Sequence, residues 1–246
     1  MRSVTAVFVA ALSILAVSVA AEKPKVGFFS EGLCPYCRRY LSRVLLPLYN
    51  TGLLQNADVK MYASGNARMK VNETTGETYL KCQHGEPECD LNRMIGCTIE
   101  YSTGLDWVPA VACIETLGKA ILKVPPALAI CVNSTEIFQQ VEECYKGDEG
   151  QQLFEAAFNA TRSLKVQHKW VPWVVVDDVP LYDAAFALPT AICLNIPKEE
   201  RPEICYSNPY GKGADSNGAL GAESNGAFDP SFSIPRELGM DSKEIT

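Results

Sequence analysis

Lys25-Val26-Gly27-Phe28-Phe29-Ser30-Glu31-Gly32-Leu33-Cys34-Pro35-Tyr36-Cys37-Arg38-Arg39-Tyr40 is the stretch whose reading decides the fold. Val26–Phe29 reads as a short apolar strand, and Cys34-Pro35-Tyr36-Cys37 opens a helix. Two cysteines separated by two residues at a helix start suit dithiol–disulfide exchange, because the small ring closes readily and the helix terminus favours a thiolate. Pro35 fits a first helical turn, where its missing N–H would have no intrahelical partner. Cys34, nearer the open end, is the expected nucleophile and Cys37 the expected resolving thiol, with Pro35 and Tyr36 as active-site support. A purely structural bridge here would close too small a loop to stabilise the chain much. Arg38 and Arg39 add positive charge nearby. Glu31 is expected to be solvated, although a carboxylate near Cys34 could shuttle a proton.

Outward from this stretch, Leu41, Val44, Leu45 and Leu48 keep helical spacing, with Pro47 expected to kink or break the helix. Asp58–Tyr62 reads as a second strand. A strand, a helix opened by C-x-x-C and another strand form the first half of a thioredoxin-like fold. Residues 167–205 supply the second half: Pro172 precedes the β-branched run Val174-Val175-Val176, Val179–Tyr182 can pair back, and Leu188–Leu194 can be helical. Val171–Pro172 is expected to be a cis bond facing the dithiol. Some 110 residues separate Tyr62 from Pro172, too many for a simple crossover, so a large insertion at about 63–166 must lie between the halves. It reads as mainly helical. Phe154, Ala157, Phe158, Thr161 and Leu164 line one face of Gln151–Lys165, and Ile137, Val141 and Cys144 line another segment. The fold class expected is α/β, a thioredoxin-like fold with a large, mainly helical, disulfide-rich insertion.

Residues 1–21 combine a short basic start with an apolar run from Val4 to Val19 and small residues at Ala20-Ala21, the pattern of a secretory signal peptide. The oxidoreductase domain is expected at 22–206. Residues 207–246 lack cysteine, accumulate glycine, serine and asparagine, and are expected to be a disordered C-terminal tail. No stretch after the signal is long and apolar enough to span a membrane. Ten cysteines in an exported chain point to disulfides. With Cys34 and Cys37 set aside, Cys82, Cys89, Cys97, Cys113, Cys131, Cys144, Cys193 and Cys205 are structural candidates, and their 105 possible pairings stay open. Asn72, Asn133 and Asn159 each begin a glycosylation acceptor triplet. The net charge of −7 at a pI of about 5.0 argues against a nucleic-acid partner, whose phosphates select basic surfaces.

Residues 82–97 hold a second constellation, with three cysteines and one of only two histidines in the chain. Cys82, His84, Cys89 and Cys97 are zinc-type ligands, but their gaps miss the paired short spacing of common structural sites, and an oxidising route favours bridges. No metal and no cofactor is expected. For His84 and His168 a hydrogen-bonded structural role fits at least as well as a catalytic one, so neither is assigned to catalysis, and Phe154 and Phe158 are read as core. The pattern C-Q-H-G, two residues, E-C, two residues, N, four residues, C, formed by Cys82, Gln83, His84, Gly85, Glu88, Cys89, Asn92 and Cys97, resembles the signature of the gamma-interferon-inducible lysosomal thiol reductase family. With the dithiol and Val171-Pro172-Trp173, the resemblance covers roughly residues 25–205. It implies a soluble glycoprotein that reduces disulfides of protein substrates in acidic endosomes and lysosomes. Pro35-Tyr36 differs from the Gly-Ala of the best-known mammalian member, and these two positions tune redox potential.

The function expected is therefore a thiol–disulfide oxidoreductase working through Cys34 and Cys37 in a lysosomal, endosomal or secreted setting. Its partners would be disulfide-bonded protein substrates and a small-molecule or protein thiol as electron donor. A secretory-pathway oxidase or isomerase, and a non-enzymatic disulfide-stapled binding protein, are the alternatives.

Overall fold

The structure, a computed structural model, describes residues 22–124 and 126–206, so the expected signal peptide and tail lie outside the described residues. Strand β1 (Lys25–Ser30) runs into a short turn and then helix α1 (Pro35–Tyr40). The chain stays helical through a π-helical turn at Leu41–Leu45 and helix α2 (Leu46–Asn50). Pro47 therefore does not end the helix as its residue type suggests. The wider turn lets the Leu46 amide bond back to the Leu41 carbonyl, five residues earlier, just before the position where proline withholds its own N–H. Strand β2 (Asp58–Ala63) then pairs in parallel with β1, Phe28 opposite Met61.

The insertion opens on a ribbon, β3 (Arg68–Val71) and β4 (Thr78–Lys81), which the reading of this region as mainly helical had not resolved. Helices α3 (Glu86–Tyr101), α4 (Trp107–Leu117), α5 (Lys119–Lys123), α6 (Pro126–Val132), α7 (Thr135–Lys146) and α8 (Asp148–Arg162) follow. The chain returns through β5 (Trp173–Val176) and β6 (Val179–Pro180) to helix α9 (Ala184–Leu194). The main sheet has the order β2-β1-β5-β6, with β5 antiparallel to β1 and Phe28 opposite Val174. That order, with a helix crossing between β1 and β2 and a hairpin returning to β1, is the thioredoxin-like topology.

Consecutive side chains of β1 point to opposite faces, and Phe28 and Phe29 are both buried, so both faces of the sheet are covered. Val26 and Phe28 join Tyr40, Leu41, Leu45, Leu91, Met94, Ile95, Val111 and Ile114 in the main core, where the Phe28 and Tyr40 rings stack at 5.3 Å. Phe29, on the opposite face, packs with Trp173, Val175, Tyr62 and Leu164. α8 stops at Arg162, so Leu164 reaches that second cluster from beyond the helix and does not extend its buried face. Phe154 and Phe158 are buried under the ribbon with Leu80. Each such fully buried side chain contributes about 1.5–3 kcal/mol relative to exposure.

The eight remaining cysteines form four bridges: Cys82–Cys89, Cys97–Cys144, Cys113–Cys131 and Cys193–Cys205. Cys97–Cys144 joins α3 to α7 and Cys113–Cys131 joins α4 to α6, so the insertion is cross-linked within itself. Bridges that close longer loops restrict the unfolded chain more. The 47-residue separation of Cys97 and Cys144 corresponds to about 4.1 kcal/mol in the chain-entropy account, against about 2.4 kcal/mol for the 7-residue separation of Cys82 and Cys89. Urea unfolding of C97A/C144A should therefore show about 1.7 times the loss found for C82A/C89A, and equal losses would contradict this ranking.

Candidate active site

The site is built where β1 ends. Leu33 turns the chain with φ 66°, and Cys34 in extended conformation caps the helix that follows. The Cys37 amide donates to Cys34 Sγ at 3.4 Å, and as a thiol Cys34 donates to the Val171 carbonyl at 3.8 Å. Val171–Pro172 is a cis peptide bond, and Cys34, Cys37 and Val171 form a small buried cluster. Both cysteines carry free thiols; Cys34 is 5 % exposed and Cys37 fully buried. Tyr36, between them, projects into solvent at 70 % exposure.

The two thiols are electrostatically unlike. A hydrogen bond from the Cys37 thiol brings the Cys34 pKa down to about 7, aided by the Cys37 and Tyr36 amides and opposed by burial and the Glu31 charge. Burial pushes the Cys37 thiol well up, and donating to Cys34 holds its proton further. One sulfur is thus prepared to be an anion and the other to stay protonated.

Around them stand acids that the sequence reading had placed in solvent or passed over. Glu31 is not solvated: it is 1 % exposed, its Oε2 accepts the Asn66 amide at 2.7 Å, and its Oε1 accepts Asn66 Nδ2 at 3.3 Å. Gly65, with φ 39°, makes room for it, since a Cβ there would fall 2.3 Å from Glu31 Oε2. Burial pushes the Glu31 pKa up against the Asn66 hydrogen bonds. His84 Nδ1 lies 2.6 Å from Glu88 Oε2 and 4.0 Å from Glu31 Oε1. Among the described residues, Glu31, His84 and Glu88 are the group whose donor atoms, all within 4.8 Å of one another, could meet a cation. Cys82, Cys89 and Cys97 offer no thiolate, being bridged.

Glu115 completes the ring of acids. It lines a cleft of about 360 Å³ together with Leu33, Cys34, Arg38 and Gly118. Both of its carboxyl oxygens are buried without a hydrogen-bond partner among the described residues. Burial, reinforced by the Cys34 charge and only partly offset by Arg38, holds its pKa well above the carboxylate range. It is the one charged residue in the apolar α4 sequence Trp-Val-Pro-Ala-Val-Ala-Cys-Ile-Glu-Thr-Leu, and that isolation was the signal available in the sequence.

The second constellation proves to be the frame of this site. Cys82–Cys89 closes the loop that carries His84 onto Glu88, and Gly85 turns it with φ 85°, a left-handed conformation that suits glycine. Asn92 Oδ1 accepts the Gly32 amide at 2.8 Å, tying the turn before Cys34 to α3. Asn72, Asn133 and Asn159, the expected glycosylation positions, are all exposed.

The family model described as gamma interferon inducible lysosomal thiol reductase (GILT) matches residues 25–147. The chain belongs to the GILT family. It is 29% identical over 183 residues to the gamma-interferon-inducible lysosomal thiol reductase of Mus musculus, covering 74% of this chain and 72% of the relative. It is 28% identical over 191 residues to the gamma-interferon-responsive lysosomal thiol protein of Arabidopsis thaliana, covering 76% and 77%. Among solved structures, it is similar to the MdbA protein, a thiol-disulfide oxidoreductase from Corynebacterium diphtheriae, with a TM-score of 0.47 and 14% identity over 74% of this chain and 87% of that one. The GILT model thus spans the dithiol, the Cys82–Asn92 frame and Glu115 together. Among the described residues, no helix is long and apolar enough to cross a membrane.

The buried acids make this GILT-family fold respond to pH in a definite direction. A carboxyl whose pKa is raised on folding stays protonated while its unfolded counterpart, near 4.3, ionises. Its contribution is fully present below about pH 4.3 and is lost as pH rises toward the folded pKa. His168, whose pKa burial lowers, acts oppositely in the same range, so substitution is needed to isolate Glu115. Chemical denaturation of E115Q and the parent should show the variant gaining relative stability from pH 4.5 to 7, by at most about 1.4 kcal/mol per pH unit. A pH-independent difference would contradict a buried, protonated Glu115.

Proposed function

We propose that this protein is a thiol–disulfide oxidoreductase that reduces disulfides of protein substrates through Cys34 and Cys37 in an acidic endosomal or lysosomal setting. The observation that carries the reading is the division of labour between the thiols: Cys34 receives hydrogen bonds that favour its thiolate, while Cys37 is buried and keeps its proton. GILT-family membership supports it.

The Cys34 thiolate attacks one sulfur of the substrate disulfide, and the other sulfur leaves and takes up a proton. Cys37 then loses its proton and attacks Cys34 Sγ, which releases the second substrate thiol and leaves a Cys34–Cys37 disulfide. A donor, two thiols of a small molecule or a protein, returns the pair to the reduced form and is itself oxidised to a disulfide. Formation of the Cys37 thiolate is the step that meets the most resistance, because Cys37 is buried. Glu31 and Glu115 are acids close enough to influence the Cys34 charge, and their protonation in acid limits repulsion of that thiolate.

A pKa of about 7 supports reduction over oxidation. A strong thiol oxidase stabilises its reduced form through a far more acidic thiolate, near 3.5, whereas a reductase of the thioredoxin type lies near 7. At pH 5 a pKa of about 7 leaves roughly one Cys34 in a hundred ionised, against a few in ten thousand for an unperturbed cysteine.

Insulin reduction assayed at pH 4.5 and 7 tests the activity, and loss at both would refute it. Cys37→Ser should accumulate a mixed disulfide with substrate, whereas Cys34→Ser should neither turn over nor trap. The reverse pattern would overturn the assignment. Residue-resolved iodoacetamide alkylation should give a Cys34 midpoint near 7 and no Cys37 reaction in that range, while a Cys34 midpoint of 8.5 or above would remove the basis for work in acid.

A further inference from the structure

Beside Cys34, on the side of the β3–β4 ribbon, opens a second and larger groove of about 780 Å³. Arg68, Lys70, Lys81, Lys169 and Trp170 line it, together with Cys34 and Tyr36 of the dithiol segment. The protein as a whole carries a charge of −7, so four cations converging next to the reactive sulfur run against its composition. The acidic residue in this lining is Glu31, which is buried and engaged by Asn66. His84, also in the lining, is paired with Glu88 at 2.6 Å.

The cations are not neutralised within the protein. Among the described residues, Arg68, Lys70 and Lys81 have no ion-pair partner, and Lys169 has the Tyr182 ring at 5.6 Å. Arg68 sits directly opposite Lys81 in the ribbon register, and like charges in that relation destabilise a pair of strands. Alternation along β3 puts Lys70 on the same face as Arg68. The opposite face is held down by Leu80, packed with Ala67, Phe154 and Phe158, so the ribbon is anchored in a position that keeps its repelling charges along the groove. Unrelieved repulsion of this kind is relieved by an anionic occupant.

We propose that this groove binds an acidic, extended segment of substrate polypeptide adjacent to the disulfide under attack. The inference rests on the reading of Cys34 as the nucleophile. A protein disulfide delivered to Cys34 necessarily brings its flanking residues into the space beside that sulfur. The groove's volume accommodates several residues, and Tyr36 and Trp170, 70 % and 47 % exposed, offer apolar surface between the charges. Aspartate and glutamate on the segment meet Arg68, Lys70, Lys81 and Lys169, which speeds encounter and favours acidic over basic segments.

The test uses three peptides with the same disulfide, flanked by acidic, neutral-polar or basic residues, and a small neutral disulfide, at pH 6 and low salt. The expected kcat/KM order is acidic, neutral, basic, with about tenfold between the first two. R68Q/K70Q/K81Q should collapse that ratio toward one, as should raised salt on the unsubstituted protein, whereas Lys146→Gln on α7 should leave the order intact. Salt dependence and the single variant Lys70→Gln keep the test informative if the triple variant does not fold. Equal rates for the three peptides, or an order that survives in R68Q/K70Q/K81Q, would overturn the groove assignment. Fluorescence anisotropy of the same peptides on Cys34→Ser separates the two readings. If neither the small disulfide nor any peptide is reduced but the acidic peptide still binds at least several-fold more tightly, the reductase reading fails and the groove stands. Reduction without charge preference in rate or binding sinks the groove alone.

Discussion

The hydrogen bond from the Cys37 amide to Cys34 Sγ is the constraint on which the rest of the structure depends. It makes a sulfur the cap of a helix, so the helix start, the turn before it and the cis segment beside it must meet at one point. β1 delivers that point because it is paired on both sides, to β2 and to β5, and cannot shift without breaking both ladders. Asn92 then fixes the turn from the side of α3 through the Gly32 amide. Sheet, insertion and dithiol are thus mechanically one unit.

The acids around the dithiol follow from the same compactness. Glu31, Glu88 and Glu115 are each at most 2 % exposed, and buried carboxylates gathered near a thiolate would repel one another and it. In acid the raised pKa values of Glu31 and Glu115 allow them to be neutral. Repulsion within this cluster is therefore smaller in an acidic medium than in a neutral one. The insertion supplies most of this environment. It contributes Asn66, His84, Glu88 and Glu115 as well as the ribbon cations, so it forms a large part of the walls around the dithiol.

Much of the framework was legible in the sequence because it is local. The dithiol after an apolar strand, the second strand near Asp58, the β-branched run after Pro172 and the helical faces of α7 and α8 each rest on spacing within a dozen residues. Periodicity carries such information directly. Pro47 misled because a proline's local preference was overridden by a π-helical turn that only the packed helix adopts. Leu164 misled because its burial comes from the sheet and not from its own helix.

By itself, then, the sequence determined the thioredoxin-like halves, the large insertion and the signature that marks the family. Only the tertiary structure decided which of the 105 pairings the eight cysteines adopt, that Glu31 is buried, that Glu115 lies at the dithiol, and that Arg68, Lys70, Lys81 and Lys169 face one groove. The physical reason is separation along the chain. Glu115 is 81 residues from Cys34 and Lys169 is 101 from Arg68, and no local periodicity relates positions so far apart. Their meeting is set by how α3 packs on β2, how α4 packs on α3 and the α1–α2 segment, and how Leu80 seats the ribbon on α8, contacts that exist only once the core has formed.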